Sequence, residues 1–312
     1  MTAHDPTTPR SIDDYLARLR LALHGADAAV VQDALSDAEE HLRAECAARP
    51  GDSEEAVLDA IAGSYGSPAD VAAAYRETER TVQAALAPQR RPAVGAGAKT
   101  GFLQRFFGIY RDPRAWTALF FMLLALVTGI FYFTVVVTGL TLSLGLAILI
   151  IGVPFFIAFL GFTRVLSFME GRIIEAMTGE RMPRRVQPVE TGGWLERIVA
   201  MLRDPRTWTT LVYQLLMLPL GTLYFTVAIT VGALGVGMLG GSAIVALEAV
   251  GIDIPGGLLV DGEVITPTGL EAALYAIFSL ALGVVLITAL LHIARLVGHL
   301  HGKLAKQLLV AR

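Results

Sequence analysis

Arg111-Asp112-Pro113-Arg114-Ala115-Trp116-Thr117 stands at the mouth of a long apolar run, and 92 residues later Arg203-Asp204-Pro205-Arg206-Thr207-Trp208-Thr209 stands at the mouth of another. Residues 101–140 laid on 193–232 without a gap are identical at 19 of 40 positions, including Gly129/Gly221 and Tyr132-Phe133-Thr134-Val135 against Tyr224-Phe225-Thr226-Val227. Shared apolar composition makes two membrane segments loosely alike, but it does not copy Arg-Asp-Pro-Arg. The pair therefore marks a duplicated unit.

Residues 115–163 are 49 consecutive positions without a charge. A helix needs about 20 apolar residues to cross a bilayer, so this run predicts two crossings, about 115–138 and 141–163, with Thr138-Gly139 at the bend. The second unit predicts crossings at about 207–231 and 271–294. Lysines and arginines avoid 115–163 and 207–294 and crowd into 90–114, 164–206 and 295–312. By the positive-inside rule both termini and the central linker face the cytoplasm. Residues 248–271 hold Glu248, Asp253, Asp261, Glu263 and Glu271 and no base, and are expected outside.

Two crossings per unit give the copies one orientation, a parallel repeat over 101–192 and 193–312. The ends of the units match at an offset of 131, as Gly152/Gly283, Ala158/Ala289, Arg164/Arg295 and Gly171/Gly302. The two offsets differ by 39 residues, an insertion over about 233–271 of the second copy. Within it Ala233–Leu247 extends the third helix, lies in the interface or packs on a neighbour through glycines. Leu258–Ile265 reads as a short external β-hairpin around Asp261-Gly262. Asp253, Asp261 and Glu263 are the candidate external sensing residues.

Mean hydropathy of +0.58 with 17% charged residues is too apolar for an ordinary soluble chain. The net charge of −3 conceals an asymmetry: residues 1–80 carry 16 acids and 7 bases, and the remainder 12 acids and 18 bases. The acidic part is a separate soluble domain. One cysteine, Cys46, forms no intramolecular disulfide and reads as an apolar thiol of a reducing compartment. With a polar, acidic beginning, the first crossing is expected to serve for targeting.

Residues 11–86 read as a compact helical bundle. Leu16, Leu19 and Leu23 mark one apolar stripe, and Val31, Leu35, Ala38, Leu42 and Cys46 another at helical spacing. Ser53-Glu54-Glu55 opens a third helix, and Ser67-Pro68-Ala69-Asp70 a fourth, with Ser67 as N-cap and proline at the first helical position. Residues 87–100 read as a flexible linker, and 101–110 as an aromatic approach to the membrane.

Tyr15-Leu16, Asp37 with Glu40-His41, Ser53-Glu54-Glu55 and Gly66-Ser67-Pro68 with Val71-Ala72 resemble the HAAS domain, a helix-turn-helix-associated α-helical signalling module. The four-crossing layout, Arg203-Asp204-Pro205-Arg206 with Trp208, and Leu218-Pro219-Leu220-Gly221 resemble the bacterial "putative sensor" membrane domain. These resemblances imply signalling and, for the HAAS part, a PadR-like transcription regulator as partner.

No catalytic constellation accompanies them. Eighteen residues after Ala294 leave no room for a kinase core, Gly298–Lys303 lacks the spacing of a phosphate loop, and His292, His299 and His301 have no acid or cysteine beside them to complete a metal site. No cofactor and no direct nucleic-acid binding is expected. Arg111, Arg114, Trp116, Arg203, Arg206 and Trp208 are expected at lipid headgroups and in the aromatic belt. Thr128, Thr134, Thr138, Gln214, Thr226 and Thr230 read as helix packing.

The expected fold is all-α: a small cytoplasmic bundle and a four-crossing membrane domain of two parallel helical hairpins. The expected function is a non-enzymatic sensor of the bacterial plasma membrane, in contact with membrane lipids and open to homo-oligomerisation. A small permease, a transporter accessory subunit and a structural scaffold are the alternatives.

Overall fold

A computed structural model describes residues 9–86, 102–148, 151–184, 199, 201–252, 254, 258–260, 263–265 and 267–310. The linker 87–100, Asp253 and Asp261 lie outside the described residues.

Four helices, α1 (Ile12–Ala22), α2 (Ala28–Ala48), α3 (Glu54–Tyr65) and α4 (Pro68–Leu86), form the N-terminal bundle. Each start is fixed by a short polar side chain that takes up a free helix amide. Ser11 serves Asp14 N, Asp27 serves Ala29 N, and Ser53 serves Ala56 N. At α4, Ser67 Oγ accepts from Asp70 N while Asp70 Oδ2 accepts from Ser67 N, a reciprocal box. Gly66 joins α3 to α4 at φ 95°, where a side chain would be strained. The core is Tyr15, Leu19, Leu23, Ala34, Ala38, Leu42, Leu58, Ile61 and Ala72. Cys46 packs on its edge, and burial pushes its thiol up from the usual cysteine value.

A short helix α5 (Phe102–Phe107) and one 3₁₀ turn (Gly108–Arg111) lead to four helices long and apolar enough to cross a membrane. They are α6 (Pro113–Leu146), α7 (Gly152–Thr178), α8 (Pro205–Ala249) and α9 (Gly269–Leu309). One expectation changes here, and of the three alternatives for 233–247 the helix extension is the one found. α6 runs straight through Thr138-Gly139 and the chain reverses between Leu146 and Gly152. Gly139 is small for contact, not for a bend: a Cβ there would lie 2.2 Å from the Phe159 ring. Residues 233–247 belong to α8, one helix of 45 residues, about 67 Å long. Pro219 sits inside it without an amide hydrogen to donate. Leu258–Val260 (β1) and Glu263–Ile265 (β2) then pair antiparallel, Leu258 opposite Ile265.

α6 and α8 touch backbone to backbone. A Cβ on Gly129 would stand 2.5 Å from the Met217 carbonyl oxygen, and one on Gly221 would stand 2.2 Å from that of Ala125. All four positions obey the 92-residue offset, so the contact is reciprocal.

Asp112 and Asp204 cap α6 and α8, each Oδ1 accepting from the backbone amide two residues on. Their other oxygens reach across: Asp112 Oδ2 lies 3.1 Å from Arg295 of α9, and Asp204 Oδ2 lies 3.0 Å from Arg164 of α7. The last helix of each unit is thereby tied to the first helix of the other.

Candidate functional site

α2 buries two stripes. Ala34, Ala38 and Leu42 face the bundle core, as an amphipathic helix requires. Ala29, Gln32, Asp33 and Ser36, spaced at helical intervals, are buried too, although three of them are polar. Polar groups leave water only where partners meet them, and for Asp33 the segment after α7 supplies those partners.

α7 ends at Gly179, whose φ of 75° turns the chain into the segment Glu180–Arg184. Arg181 Nη2 donates to Asp33 Oδ2 (3.0 Å), and the Arg184 backbone amide donates to Asp33 Oδ1 (2.7 Å). Arg181 also lies 3.4 Å from Glu79 of α4. Lys306, near the end of α9, donates to Asp27 of the bundle and to Glu180. Between these ion pairs Met182 is fully buried in the core of the membrane domain, beside Ile174, Tyr213 and Leu309. The bundle is thus clamped to the C-terminal ends of α7 and α9.

Directly behind the clamp is a buried polar network with one member or more from every long helix. Glu170 (α7), Tyr213 (α8) and His301 (α9) are each 1% exposed, and Tyr132 (α6) 4%. Tyr132 donates to Glu170 Oε2 at 2.8 Å and Tyr213 to Glu170 Oε1 at 3.0 Å. Tyr213 has one hydroxyl hydrogen, and the carboxylate uses it. Its oxygen therefore accepts from His301 Nε2 (3.0 Å), leaving Nδ1 toward the Tyr224 hydroxyl at 3.4 Å. The chain Tyr224–His301–Tyr213–Glu170–Tyr132 is a continuous line of hydrogen bonds in which the Glu170 carboxylate accepts from both sides. Adding one proton at His301 or Glu170 reverses a donor or removes an acceptor, so the network has discrete arrangements.

Glu170 and His301 correspond at the 131-residue sequence offset, as Tyr132/Tyr224 and Phe121/Tyr213 do at 92. Corresponding positions of the sequence thus carry different ionisable groups. The sequence reading does not single out Glu170 and weighs His301 only as a metal ligand, because its crossings end at 163 and 294, whereas α7 and α9 continue to Thr178 and Leu309. The offset itself was the available signal, since Gly171/Gly302 was already aligned.

Of the residues expected at the lipid boundary, Trp116 and Trp208 are 47% and 50% exposed. Their Nε1 atoms donate to the carbonyls of Tyr110 and Leu202, six residues back in each case. Arg111 and Arg203 are exposed. Arg206 Nε donates to the Leu309 carbonyl, and Arg114 packs near Gly179. Glu263 lies in β2 opposite Val260. His292 stacks on Phe106, and among the described residues no cluster of histidine, cysteine and acids could hold a metal. Thr128 and Thr134 bond carbonyls of their own helix, while Gln214 Nε2 bridges from α8 to the Thr163 carbonyl on α7.

The bundle carries one further concavity, about 710 Å³, lined by Asp37, Glu40, His41, Tyr65, Asp70 and Tyr75. His41 stacks on Tyr65 at 4.3 Å, and Tyr75 donates to Asp37. Burial first, and that carboxylate second, push the Tyr75 hydroxyl above the usual tyrosine value.

The family model described as "Putative sensor" matches residues 121–309, and the HAAS model matches residues 14–74. The chain belongs to the sensor family. Its matched region spans all of α7, α8 and α9 and most of α6, and the HAAS match covers α1 to α3 and the start of α4. This sensor domain therefore joins four apolar helices to a HAAS bundle, which gives the chain a sensing and signalling role at a membrane. No curated protein and no solved structure matches the chain.

Proposed function

We infer that this chain is a non-enzymatic membrane sensor in which the packing of α6 to α9 sets the posture of the HAAS bundle. One observation carries this reading: α7 and α9 each contribute an ionisable group to the buried network and also carry, just beyond it, the cations that hold Asp27 and Asp33. A stimulus that shifts these helices shifts the clamp, because packed cores respond between discrete arrangements rather than by smooth deformation.

The two units act as parallel repeats about an axis along the membrane normal. The crossed ties Arg295–Asp112 and Arg164–Asp204 and the reciprocal glycine contacts support this. Both termini face the cytoplasm of a bacterial plasma membrane. The acidic stretch 248–271 faces outward, where a stimulus arrives, and Asp253, Asp261 and Glu263 of its sequence are the candidate sensing residues. An impermeant thiol reagent applied to intact cells should label Val250→Cys in a Cys46→Ser background; labelling only after lysis would invert the topology.

The acidic, aromatic groove of Asp37, Glu40, His41 and Tyr75 is the face offered to a cytoplasmic regulator. The HAAS resemblance points to a PadR-like one. The full chain in lipid nanodiscs should capture a PadR-like regulator, with Asp37→Ala weakening capture about tenfold. Wild-type chain that retains no such regulator would remove the partner from the account.

A further inference from the structure

The membrane domain contains two cavities that share a pair of arginines at corresponding positions and differ in size and in the rest of their lining. The first, about 80 Å³, is lined by Arg164, Ser167, Asp204, Arg206 and Thr210, with Gln32 of the bundle at its rim. The second, about 440 Å³, is lined by Arg114, Ala118, His292, Arg295, Gly298 and His299. The offsets relate them pair by pair: Arg206/Arg114 and Thr210/Ala118 by 92, Arg164/Arg295 and Ser167/Gly298 by 131. Each cavity joins an arginine from the first turn of one unit to an arginine from the last helix of the other.

The arginines within a cavity differ in their needs. Arg164 and Arg295 have carboxylate partners, Asp204 and Asp112. Among the described residues no carboxylate pairs with Arg206 or Arg114. Arg206 is held by its Nε on the Leu309 carbonyl, which leaves its two terminal nitrogens for the cavity it lines. Each cavity thus carries one cation beyond its own ion pair, in a planar donor geometry that suits a phosphate oxygen pair. The half-exposed Trp116 and Trp208 stand two residues from Arg114 and Arg206, at the belt where phospholipid headgroups sit.

We propose that the two cavities are sites for the phosphate of an anionic membrane lipid, each built by residues of both units. The first touches the docked bundle through Gln32, so its occupancy strengthens the clamp. This rests on the reading of Trp116 and Trp208 as the lipid boundary.

The test uses the full chain in phosphatidylcholine nanodiscs with and without phosphatidylglycerol, counting retained anionic lipid by native mass spectrometry. Arg206→Gln and Arg114→Gln break no ion pair among the described residues, and should each remove about half of the retained lipid. Lys303→Gln, at an exposed lysine of α9 that lines neither cavity, should remove none. Equal losses in the control would mean diffuse surface attraction and overturn the proposal. Stabilisation by millimolar inorganic phosphate in pure phosphatidylcholine, equal to that given by the lipid, would identify a soluble ligand and overturn it as well. Failure of the boundary reading shows separately, as chain that does not float with vesicles.

Discussion

Asp33 is a carboxylate on a helix whose apolar stripe faces elsewhere, yet it is buried because Arg181 and the Arg184 amide meet both of its oxygens. Losing a partner at a buried ion pair costs up to about 3–5 kcal/mol, and Asp33→Ala takes the closest carboxylate from Arg181 and leaves it Glu79 at 3.4 Å and Glu175 at 3.7 Å. Asp33→Ala should therefore release the bundle from the membrane domain without unfolding it. The check is hydrogen exchange, which should speed up at residues 29–36 and stay slow at Leu42. Asp70 predicts a different response. Its hydrogen bonds from the Ser67 hydroxyl and amide hold its carboxyl below the usual aspartate value. A lowered folded-state value means stability present above the unfolded value, near 3.9, and lost as pH falls through the folded one. Protection at the start of α4 should fall in that acid range in wild type, and Asp70→Asn should flatten the dependence.

At the scale of elements, the close approach of α6 and α8 sets how the two units sit. Gly129→Ala or Gly221→Ala would push a Cβ within 2.5 Å of a carbonyl on the facing helix. Overpacking of this kind costs about 1–3 kcal/mol, so thermal stability in detergent should drop for both. Gly145→Ala, with nothing within 4 Å of its added carbon, should be neutral. The repeat made these glycines visible before any coordinates. It did not reveal that α6 passes straight through Gly139, because glycine marks close contacts within membrane helices as readily as bends.

At the scale of the whole molecule, charge placement and the doubled Arg-Asp-Pro-Arg made four crossings and a separate acidic bundle legible. The clamp and the network behind it were hidden for one physical reason. The clamp cations and the network's Glu170 and His301 lie where the chain continues past the charge-free runs, and there a polar residue reads as solvated unless its partner on another helix is known. Glu170 has its partners 38 and 43 residues away, and Lys306 has one 279 residues away. Gln32 and Asp33 look like an ordinary wet face until Arg181 is brought to them.

The account joins these parts in one claim: the buried network and the bundle clamp are coupled. Glu170 touches no bundle residue among its described hydrogen bonds, so Glu170→Gln, which keeps its shape, isolates that coupling. Hydrogen exchange at residues 29–36 of the full chain in nanodiscs is the direct measurement. Exchange about tenfold faster in Glu170→Gln than in wild type, approaching that of Asp33→Ala, is the predicted result. Unchanged exchange at 29–36 in a Glu170→Gln protein of wild-type thermal stability would contradict it.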